Sequence, residues 1–174
     1  MKKIFIIFLT LGALGFIGFS LDFQKNSTGK ACAFCQEKVL TSQEFYRSGG
    51  AIALITHKPA VNGHVLIIPE RHVERFEDLS AGEISAMAEM IQKVNLAIAN
   101  WNGNTGYLLL QKNGREAGQT VPHVHFHYLP RFNGESDLGF ALRFLISPWL
   151  KPLTAAEMNQ LTIDLRAEIE RIEH

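Results

Sequence analysis

Short apolar runs separated by turn residues predict a β-sheet in the first two thirds of the chain. Residues 51–56 and 64–68 are compact apolar runs of strand length, and Pro69 ends the second because proline cannot donate to a strand ladder. Residues 106–110 form a third such run, and residues 44–47 lead into a Gly-Gly turn ahead of the first.

Two helices are predicted from their start signals and their apolar periodicity. Ser80 and Glu83 form an S-x-x-E capping box, and Thr154 with Glu157 forms the equivalent T-x-x-E box. The first box precedes an apolar stripe at helical spacing, made of Ile84, Met87, Ala88, Ile91, Val94, Ile98 and Trp101. The second precedes a stripe of Met158, Leu161, Leu165 and Ile169. Residues 102–104 end the first helix, and the whole pattern predicts an α+β domain, an antiparallel sheet with helices packed on one side.

The pattern in residues 119–131 is different, because three histidines occupy alternate positions. His123, His125 and His127 alternate with valine, phenylalanine and tyrosine, and Pro130 closes the run. A period of two is that of a β-strand, so the imidazoles are expected on one face and the apolar side chains on the other.

A row of imidazoles can be a solvated sheet face, a metal site or a reactive group. The preceding segment, residues 113–120, is a polar loop with glycines whose backbone N–H groups and side-chain donors can bind an anion. An imidazole with an unperturbed pKa of about 6.5 is largely neutral near neutral pH and is then a good nucleophile. Together the two features favour nucleophilic attack on a phosphorus centre.

Composition limits the partners of this chain. With 174 residues, of which 47% are hydrophobic and 20% charged, one globular domain with a substantial core is expected. Seventeen acidic residues balance seventeen basic ones. No overall basic field points to a nucleic acid polymer as a partner, so any recognition of phosphate must be local.

The N-terminus has the pattern of a secretory signal peptide. Two lysines precede residues 4–19, an uncharged and almost wholly apolar run, and Gly18 and Ser20 are small residues suited to cleavage before Leu21. The run is shorter than the roughly twenty residues of a spanning helix, although a short membrane anchor is the alternative and a buried helix a third.

These features divide the chain into three parts. Residues 1–20 are the signal peptide or short anchor, residues 21–30 a polar linker, and residues 31–174 the folded domain with its C-terminal helix. An exported (periplasmic) or membrane-anchored location is expected, with a cytoplasmic one as the alternative. Membrane contact is expected only through residues 1–20.

Cys32 and Cys35 are the only cysteines and form a C-x-x-C pair. In an exported protein such a pair is by default a disulfide or a redox pair. It is also half of a tetrahedral zinc site, which needs two further ligands. A thiol-redox protein is disfavoured, because the surrounding pattern lacks the βαβ setting expected of one.

The motifs resemble those of the histidine triad (HIT) superfamily of nucleotide hydrolases and transferases. Residues 123–129 match the signature His-φ-His-φ-His-φ-φ, in which φ is apolar, if Tyr128 is counted as apolar. Further similar segments are residues 63–69, 73–76, 117–121 and 129–131. The resemblance covers roughly residues 31–131 and implies a HIT-like fold and a homodimer.

The resemblance also implies roles for individual residues. His125 would attack the α-phosphorus of a dinucleoside polyphosphate or nucleoside phosphoramidate and form a nucleotidyl-histidine, which water hydrolyses. His127 would contact the phosphates and leaving group, with His123 on the same face. Gln119 and Thr120, with amides of the loop, would hold phosphate oxygens.

Some members of the superfamily hold structural zinc. Their ligands are a cysteine pair, a histidine after the Ile-Pro segment and the first triad histidine, which correspond here to Cys32, Cys35, His72 and His123. Because both halves of this ligand set are present, we expect zinc rather than a disulfide.

Two positions depart from the family pattern. Lys112 stands where the family commonly has a phosphate-binding Asn or Gln. A one-residue adjustment could bring in Gln111 or Asn113, or the lysine could supply charge directly. Thr56 aligns with the ribose-binding Asp or Asn, and its single hydroxyl cannot clasp two ribose hydroxyls. For His64, a structural role and a site role are equally expected.

The expected function is therefore hydrolysis or transfer at the α-phosphate of a nucleotide substrate. The alternative is a nucleotide-binding or zinc-stabilised interaction protein with little turnover. His57 is expected to be a solvated loop residue.

Overall fold

The computed structural model describes residues 32–103 and 106–174. The signal peptide or anchor predicted for residues 1–20, the linker at 21–30 and the helix-ending Asn104 lie outside the described residues. Within the described part of the chain, none of the helices combines the length and apolar character needed to cross a membrane.

All the predicted strands are present, in one antiparallel sheet. The strands are β1 (Glu44–Ser48), β2 (Ala51–Ile55), β3 (Val65–Pro69), β4 (Gly106–Gln111) and β5 (Phe126–Arg131). Their order across the sheet is β1-β2-β3-β5-β4, and every neighbouring pair is antiparallel. The last strand is therefore inserted between β3 and β4, where both neighbours reach its side chains.

The described residues also form four α-helices. They are α1 (Glu37–Gln43), α2 (Ala81–Asn102), α3 (Asp137–Ile146) and α4 (Ala155–Glu173). Both predicted capping boxes are confirmed: the Ser80 hydroxyl accepts from the Glu83 N–H, the Glu83 carboxylate accepts from the Ser80 N–H, and Thr154 and Glu157 repeat the arrangement. Gly103, with φ of 75°, ends α2 in the left-handed conformation. Helices α1 and α3 were not predicted.

The sheet separates two apolar layers, since successive strand residues point to opposite faces. In β2, Ala51, Ala53 and Ile55 belong to the main core, which α2 and α4 complete. Ile52 and Leu54 face a smaller cluster on the other side, which side chains of α1 help to cover. The two long helices thus share one side of the sheet, and the opposite side is left to the short elements and the histidines.

The buried side of α2 is rotated relative to the predicted stripe. Met87, Val94 and Ile98 are buried as expected, but Ile84 is 41% exposed and Ala88 is exposed too. The remaining buried residues of the helix are Ala86, Met90 and Ala97. Small alanines let the helix approach the sheet closely, and the periodicity of a broad stripe does not determine where along its width that contact falls.

The predicted triad strand is shorter than its sequence pattern. The ladder begins at Phe126, so only His127 lies within β5, between β3 and β4. His123 and His125 precede the strand, where the Val124 N–H donates to the carbonyl of Val73 instead of to a ladder partner. The backbone just before β5 is therefore bonded to the loop after β3, and this fixes the place of the first two histidines.

Candidate functional site

The four predicted metal ligands, one of which is the first triad histidine, come together in the structure. The ligands are Cys32, Cys35, His72 and His123. One ligand atom of each lies within 4.8 Å of those of the other three. A 3-10 turn, Ala33–Cys35, brings the two sulfurs to the same place. Both cysteines are free thiols in this structure, and no disulfide joins them.

The spacing of these atoms fits a tetrahedral metal ion. The Nδ1 atom of His123 lies 3.4 Å from the Cys32 Sγ and 3.7 Å from the Cys35 Sγ, and the Nδ1 atom of His72 lies 3.3 Å from the Cys35 Sγ. Metal–sulfur bonds of about 2.3 Å and metal–nitrogen bonds of about 2.0 Å at a tetrahedral angle place sulfur and nitrogen about 3.6 Å apart. Two thiols and two imidazoles at this spacing could hold one ion.

The surroundings orient the imidazole ligands. His123 donates from Nε2 to the carbonyl of Pro69 at 2.9 Å, which leaves the Nδ1 lone pair for a metal. The Nε2 atom of His72 lies 3.6 Å from the Glu74 carboxylate. Burial raises the pKa of the Cys32 thiol to about 11, so an entering metal ion must displace its proton.

The backbone also determines the tautomer of His125. Its Nδ1 atom lies 2.7 Å from the carbonyl of His123, and a carbonyl can only accept, so Nδ1 carries the proton. The Nε2 atom then has a free lone pair and can act as a nucleophile. Phe34, which the sequence analysis missed, meets the rings of His123 and His125 edge-on at 5.9 Å and 5.4 Å. Its place inside the C-x-x-C pair was the available signal.

His64 orients His127 through a chain of hydrogen bonds. The Ala60 N–H donates to His64 Nδ1 at 3.1 Å, so the neutral imidazole of His64 carries its proton on Nε2. That Nε2–H donates to His127 Nδ1 at 2.9 Å, which leaves the His127 proton on Nε2. His64 is therefore in contact with the third triad histidine, and its role in the site stays a prediction.

Burial lowers the pKa of four histidines at the site. The pKa of His64 falls to about 4 and that of His127 to about 3, chiefly because burial disfavours the charged imidazolium. Burial likewise lowers the pKa of His123 and of His125. All four imidazoles are therefore neutral near neutral pH, the state in which the tautomers above are defined.

Gln119 holds the glycine loop in place. Its Oε1 atom accepts from the Gly114 N–H at 2.7 Å. Its Nε2 group donates to three backbone carbonyls, those of Glu74, Val121 and His123. The side chain is 7% exposed and its polar atoms are bonded within the chain, and phosphate binding by Gln119 stays a prediction. Gly114 and Gly118, with φ of 93° and 82°, supply the left-handed turns of the loop.

The amides on either side of Lys112 are also engaged elsewhere. Asn113 accepts from the Phe76 N–H at 2.8 Å and donates to the Glu77 carboxylate at 2.7 Å. Gln111 donates from Nε2 to the carbonyl of Lys112 at 3.1 Å. Both amides thus have partners within the chain, and substrate binding by Gln111, Lys112 and Asn113 stays a prediction.

For the other predicted residues, the contacts in the structure do not decide their roles. Thr120 is exposed at the end of the glycine loop. Thr56 is half-buried after β2, and its N–H donates to the carbonyl of His64 at 3.3 Å. Substrate binding by Thr56 and Thr120 stays a prediction. His57 is exposed, as expected.

The sequence of the chain matches a known protein family. A family model described as HIT domain matches residues 37–134, more than half of the chain. The chain belongs to the HIT domain family. The bifunctional bis(5'-adenosyl)-triphosphatase/adenylylsulfatase of Arabidopsis thaliana is 37% identical over 112 residues, which are 64% of this chain and 62% of that protein. The chain thus spans less than two thirds of the Arabidopsis protein.

Two further proteins extend the comparison. The adenosine 5'-monophosphoramidase of Schizosaccharomyces pombe is 33% identical over 111 residues, 63% of this chain and 80% of that protein. The crystal structure of a zinc-bound histidine triad family protein from Mycobacterium smegmatis has a TM-score of 0.59 and 21% identity, and the match covers 88% of this chain and 94% of that one. At 21% identity, the similarity to the M. smegmatis protein shows a shared fold, the α+β HIT fold.

Proposed function

We propose that this HIT protein is a nucleotide hydrolase or transferase acting at the α-phosphate of dinucleoside polyphosphates or nucleoside phosphoramidates. The proposal rests on the tautomers of two neighbouring imidazoles, one with a free nitrogen lone pair and one with a proton to donate. The free lone pair on Nε2 of His125 lies beside His127, whose Nε2 carries a proton, and the ring centroids are 5.0 Å apart. One imidazole can attack while its neighbour donates. The Arabidopsis and S. pombe relatives, named for hydrolysis of such bonds, support this substrate class.

The proposed reaction has two displacements. The Nε2 atom of His125 forms a bond to the α-phosphorus, while the bond from phosphorus to the leaving group breaks and its electron pair departs with that group. The positive charge that develops on His125 is stabilised by the hydrogen bond from Nδ1 to the carbonyl of His123. His127 donates a hydrogen bond to the departing atom. Water then attacks phosphorus, the nitrogen–phosphorus bond breaks with its electron pair returning to His125 Nε2, and the proton that the water loses passes to solvent.

The test compares His125→Ala with His57→Ala, a matched change at an exposed histidine. With diadenosine triphosphate or adenosine phosphoramidate as substrate, we expect His125→Ala to fall to background and His57→Ala to retain wild-type turnover. Quenching wild-type turnover with denaturant at alkaline pH, which preserves a nitrogen–phosphorus bond, followed by mass spectrometry, should detect a nucleotidyl adduct on His125. Equal activity in His125→Ala and wild type would remove His125 as the nucleophile.

A nucleotide-binding protein with little turnover is the second candidate. The engagement of the Gln111, Asn113 and Gln119 amides within the chain favours it, because fewer neutral donors are then free to hold a phosphate chain. Calorimetric titration with AMP, combined with a turnover assay on the same preparation, separates the two functions. Binding without any turnover that depends on His125 supports this candidate.

We propose that zinc occupies the Cys32, Cys35, His72 and His123 site and has a structural role. Two thiols and two imidazoles in a closed tetrahedron are a donor set typical of zinc, and the M. smegmatis protein is described as zinc-bound. The ion would join the segment before α1 to His123, whose carbonyl orients His125. Elemental analysis of purified protein tests this. Protein without zinc, carrying a Cys32–Cys35 bridge by mass spectrometry, would exclude it.

We also propose that the protein is a homodimer. Strand β4 is at the edge of the sheet, with backbone groups available for a further strand, and Tyr107 and Leu108 on it are 42% and 41% exposed. A second copy pairing along β4 would cover both features. Light scattering after gel filtration is expected to give a dimer mass for wild type and a monomer mass for Leu108→Lys. A wild-type monomer would exclude the dimer.

Export or membrane tethering of the chain is proposed from residues 1–20. Their support is the sequence itself, two lysines followed by the uncharged apolar run at 4–19. Cell fractionation with N-terminal sequencing tests the proposal. A mature N-terminus near Leu21 in an exported fraction indicates a cleaved signal peptide, an intact N-terminus in the membrane fraction indicates an anchor, and intact protein in the cytoplasm refutes both.

A further inference from the structure

Helix α3 turns an apolar face toward solvent. With the 3-10 turn Ser147–Trp149 that follows it, the helix carries five large apolar side chains that are each 48–73% exposed. Four of them recur at the i, i+4, i+7 and i+8 spacing of a single helical face. The five residues are Leu138, Leu142, Leu145, Ile146 and Trp149. Single exposed apolar side chains are ordinary on a protein surface, whereas a contiguous apolar face marks a binding surface.

The charged side chains of this segment are engaged by neighbouring residues of the same chain. Arg143 pairs with Glu135 at 2.6 Å, and its guanidinium lies 4.8 Å from the centre of the Phe132 ring. Asp137, at the start of α3, pairs with Arg131 at 2.5 Å. A surface helix usually buries its apolar side chains and exposes its charged ones. Helix α3 exposes its leucines instead, and the charges beside them are neutralised in pairs.

Contacts on its inner side hold α3 in this orientation. Phe140 packs against the small apolar cluster that contains Leu129. After the helix, the Leu153 N–H donates to the carbonyl of His57 at 3.0 Å, and the Leu153 side chain packs against the main core. Rotating the leucines of α3 inward would break these contacts, so the apolar face leaves water only when something outside the domain binds it.

Trp149 and Lys151, at the end of the segment, are residue types that favour a membrane interface. Tryptophan places its amphipathic ring at the level of the lipid headgroups, and lysine attracts anionic headgroups. Lys151 is exposed, and none of the described acidic side chains forms an ion pair with it. A helix of ten residues is about 15 Å long, about half the thickness of a bilayer core, so α3 fits along a membrane surface and not across it.

The N-terminal sequence points to the same kind of partner. The signal peptide or short anchor predicted at residues 1–20 would bring the chain to a membrane. If it is retained as an anchor, residues 21–31 extend over at most about 40 Å and keep the folded domain near the lipid. A protein partner would require a groove that fits the helix, whereas a bilayer accepts an apolar helix face without a matching shape.

We propose that the exposed face of α3 and residues 147–149 binds the surface of a phospholipid bilayer with anionic headgroups. The leucines enter the boundary between headgroups and acyl chains, Trp149 lies at that boundary, and Lys151 contacts headgroup phosphates. This inference goes beyond the proposed hydrolase function and does not depend on it.

The test uses tryptophan quenching by lipids that carry bromine on their acyl chains. The chain has two tryptophans, so Trp101→Phe reports on Trp149 alone and Trp149→Phe on Trp101 alone. The full chain is mixed with vesicles of equal parts phosphatidylcholine and phosphatidylglycerol. We expect strong quenching in Trp101→Phe and little in Trp149→Phe, because Trp101 packs against the main core. An unquenched Trp149 overturns the inference.

Leu142→Glu and Leu96→Glu form a matched pair, because both leucines are 50% exposed and lie on helices. Both changes are made in Trp101→Phe, and all variants keep residues 1–20, so any anchor is the same in each. Leu142→Glu should lose most of the Trp149 quenching, and Leu96→Glu should retain it. Vesicles of phosphatidylcholine alone should quench less than anionic ones, and Lys151→Gln should reduce that difference.

Equal quenching in Leu142→Glu and Leu96→Glu also overturns the inference. So does a Trp149 without lipid contact in a chain whose mass by light scattering falls from dimer to monomer in Leu142→Glu, since a second copy would then cover this face. Turnover that depends on His125 is measured separately, so failure of the membrane contact is distinct from failure of the proposed function.

Discussion

Replacing His64 by alanine tests the hydrogen-bond chain that orients His127. The change removes the bond from the Ala60 N–H, 3.1 Å long, and the bond to His127 Nδ1, 2.9 Å long. His64 is only 7% exposed, so a donor on Ala60 and an acceptor on His127 are left without partners in a buried place. Each such group costs about 1–3 kcal/mol, and we expect the free energy of unfolding to fall by roughly 2–6 kcal/mol.

The same change should slow catalysis by a separate route. Without His64, the imidazole of His127 can place its proton on Nδ1 and turn a lone pair toward the leaving group. General acid assistance by one positioned side chain contributes at least about 100-fold, and partial loss of the correct tautomer should lower kcat by about ten-fold or more. His64→Gln, which keeps a polar side chain in the same place, should recover part of the stability and little of the kcat.

Two assays test this hydrogen-bond chain. Urea unfolding followed by tryptophan fluorescence gives the change in unfolding free energy, and steady-state turnover of diadenosine triphosphate gives kcat. His57→Ala, at an exposed position, is the control and should change neither quantity. A loss of less than about 1 kcal/mol in His64→Ala, together with an unchanged kcat, would refute the hydrogen-bond chain and the tautomers deduced from it.

Three further predictions concern the metal, pH and helix capping. Cys35→Ser should lower both the bound zinc, measured by elemental analysis, and the midpoint temperature of thermal unfolding. A chelator should lower this midpoint in wild type but hardly in the variant. Because the folded pKa values of His64 and His127 are about 4 and about 3, the unfolded chain binds protons first as the pH falls below about 6.5. Urea unfolding at several pH values should therefore show stability present above about 6.5 and lost toward 4, by up to about 3 kcal/mol for His64; a flat profile would contradict the shifts. Ser80→Ala should cost about 0.5–2 kcal/mol in urea unfolding, against no change in Ser85→Ala within α2.

Much of the fold was predictable because its signals are local. Ser80 and Thr154 start helices through hydrogen bonds to residues three positions away, and proline and glycine end strands and helices through their own backbone limits. The side of α2 that faces the sheet was not predictable in detail, since it depends on the fit of alanines against a distant surface. Helix α3 was missed although the Ser136 hydroxyl accepts from the Gly139 N–H at its start, because no Glu or Gln completes a capping box there.

The triad was identifiable from spacing and residue type, and the four metal ligands from the resemblance to the HIT superfamily. The state of each imidazole depended on the tertiary structure. His127 takes its tautomer from His64, which directly precedes the neighbouring strand β3. His125 takes its tautomer from the carbonyl of His123, which lies before the start of β5. The amide of Gln119 was assigned to a ligand from its place in a polar loop, but folding surrounded it with carbonyls. Sequence determines which groups are available, whereas their partners depend on the folded backbone. His64 reaches His127 because β3 and β5 pair, and the carbonyl of His123 reaches His125 because this segment stays outside the ladder.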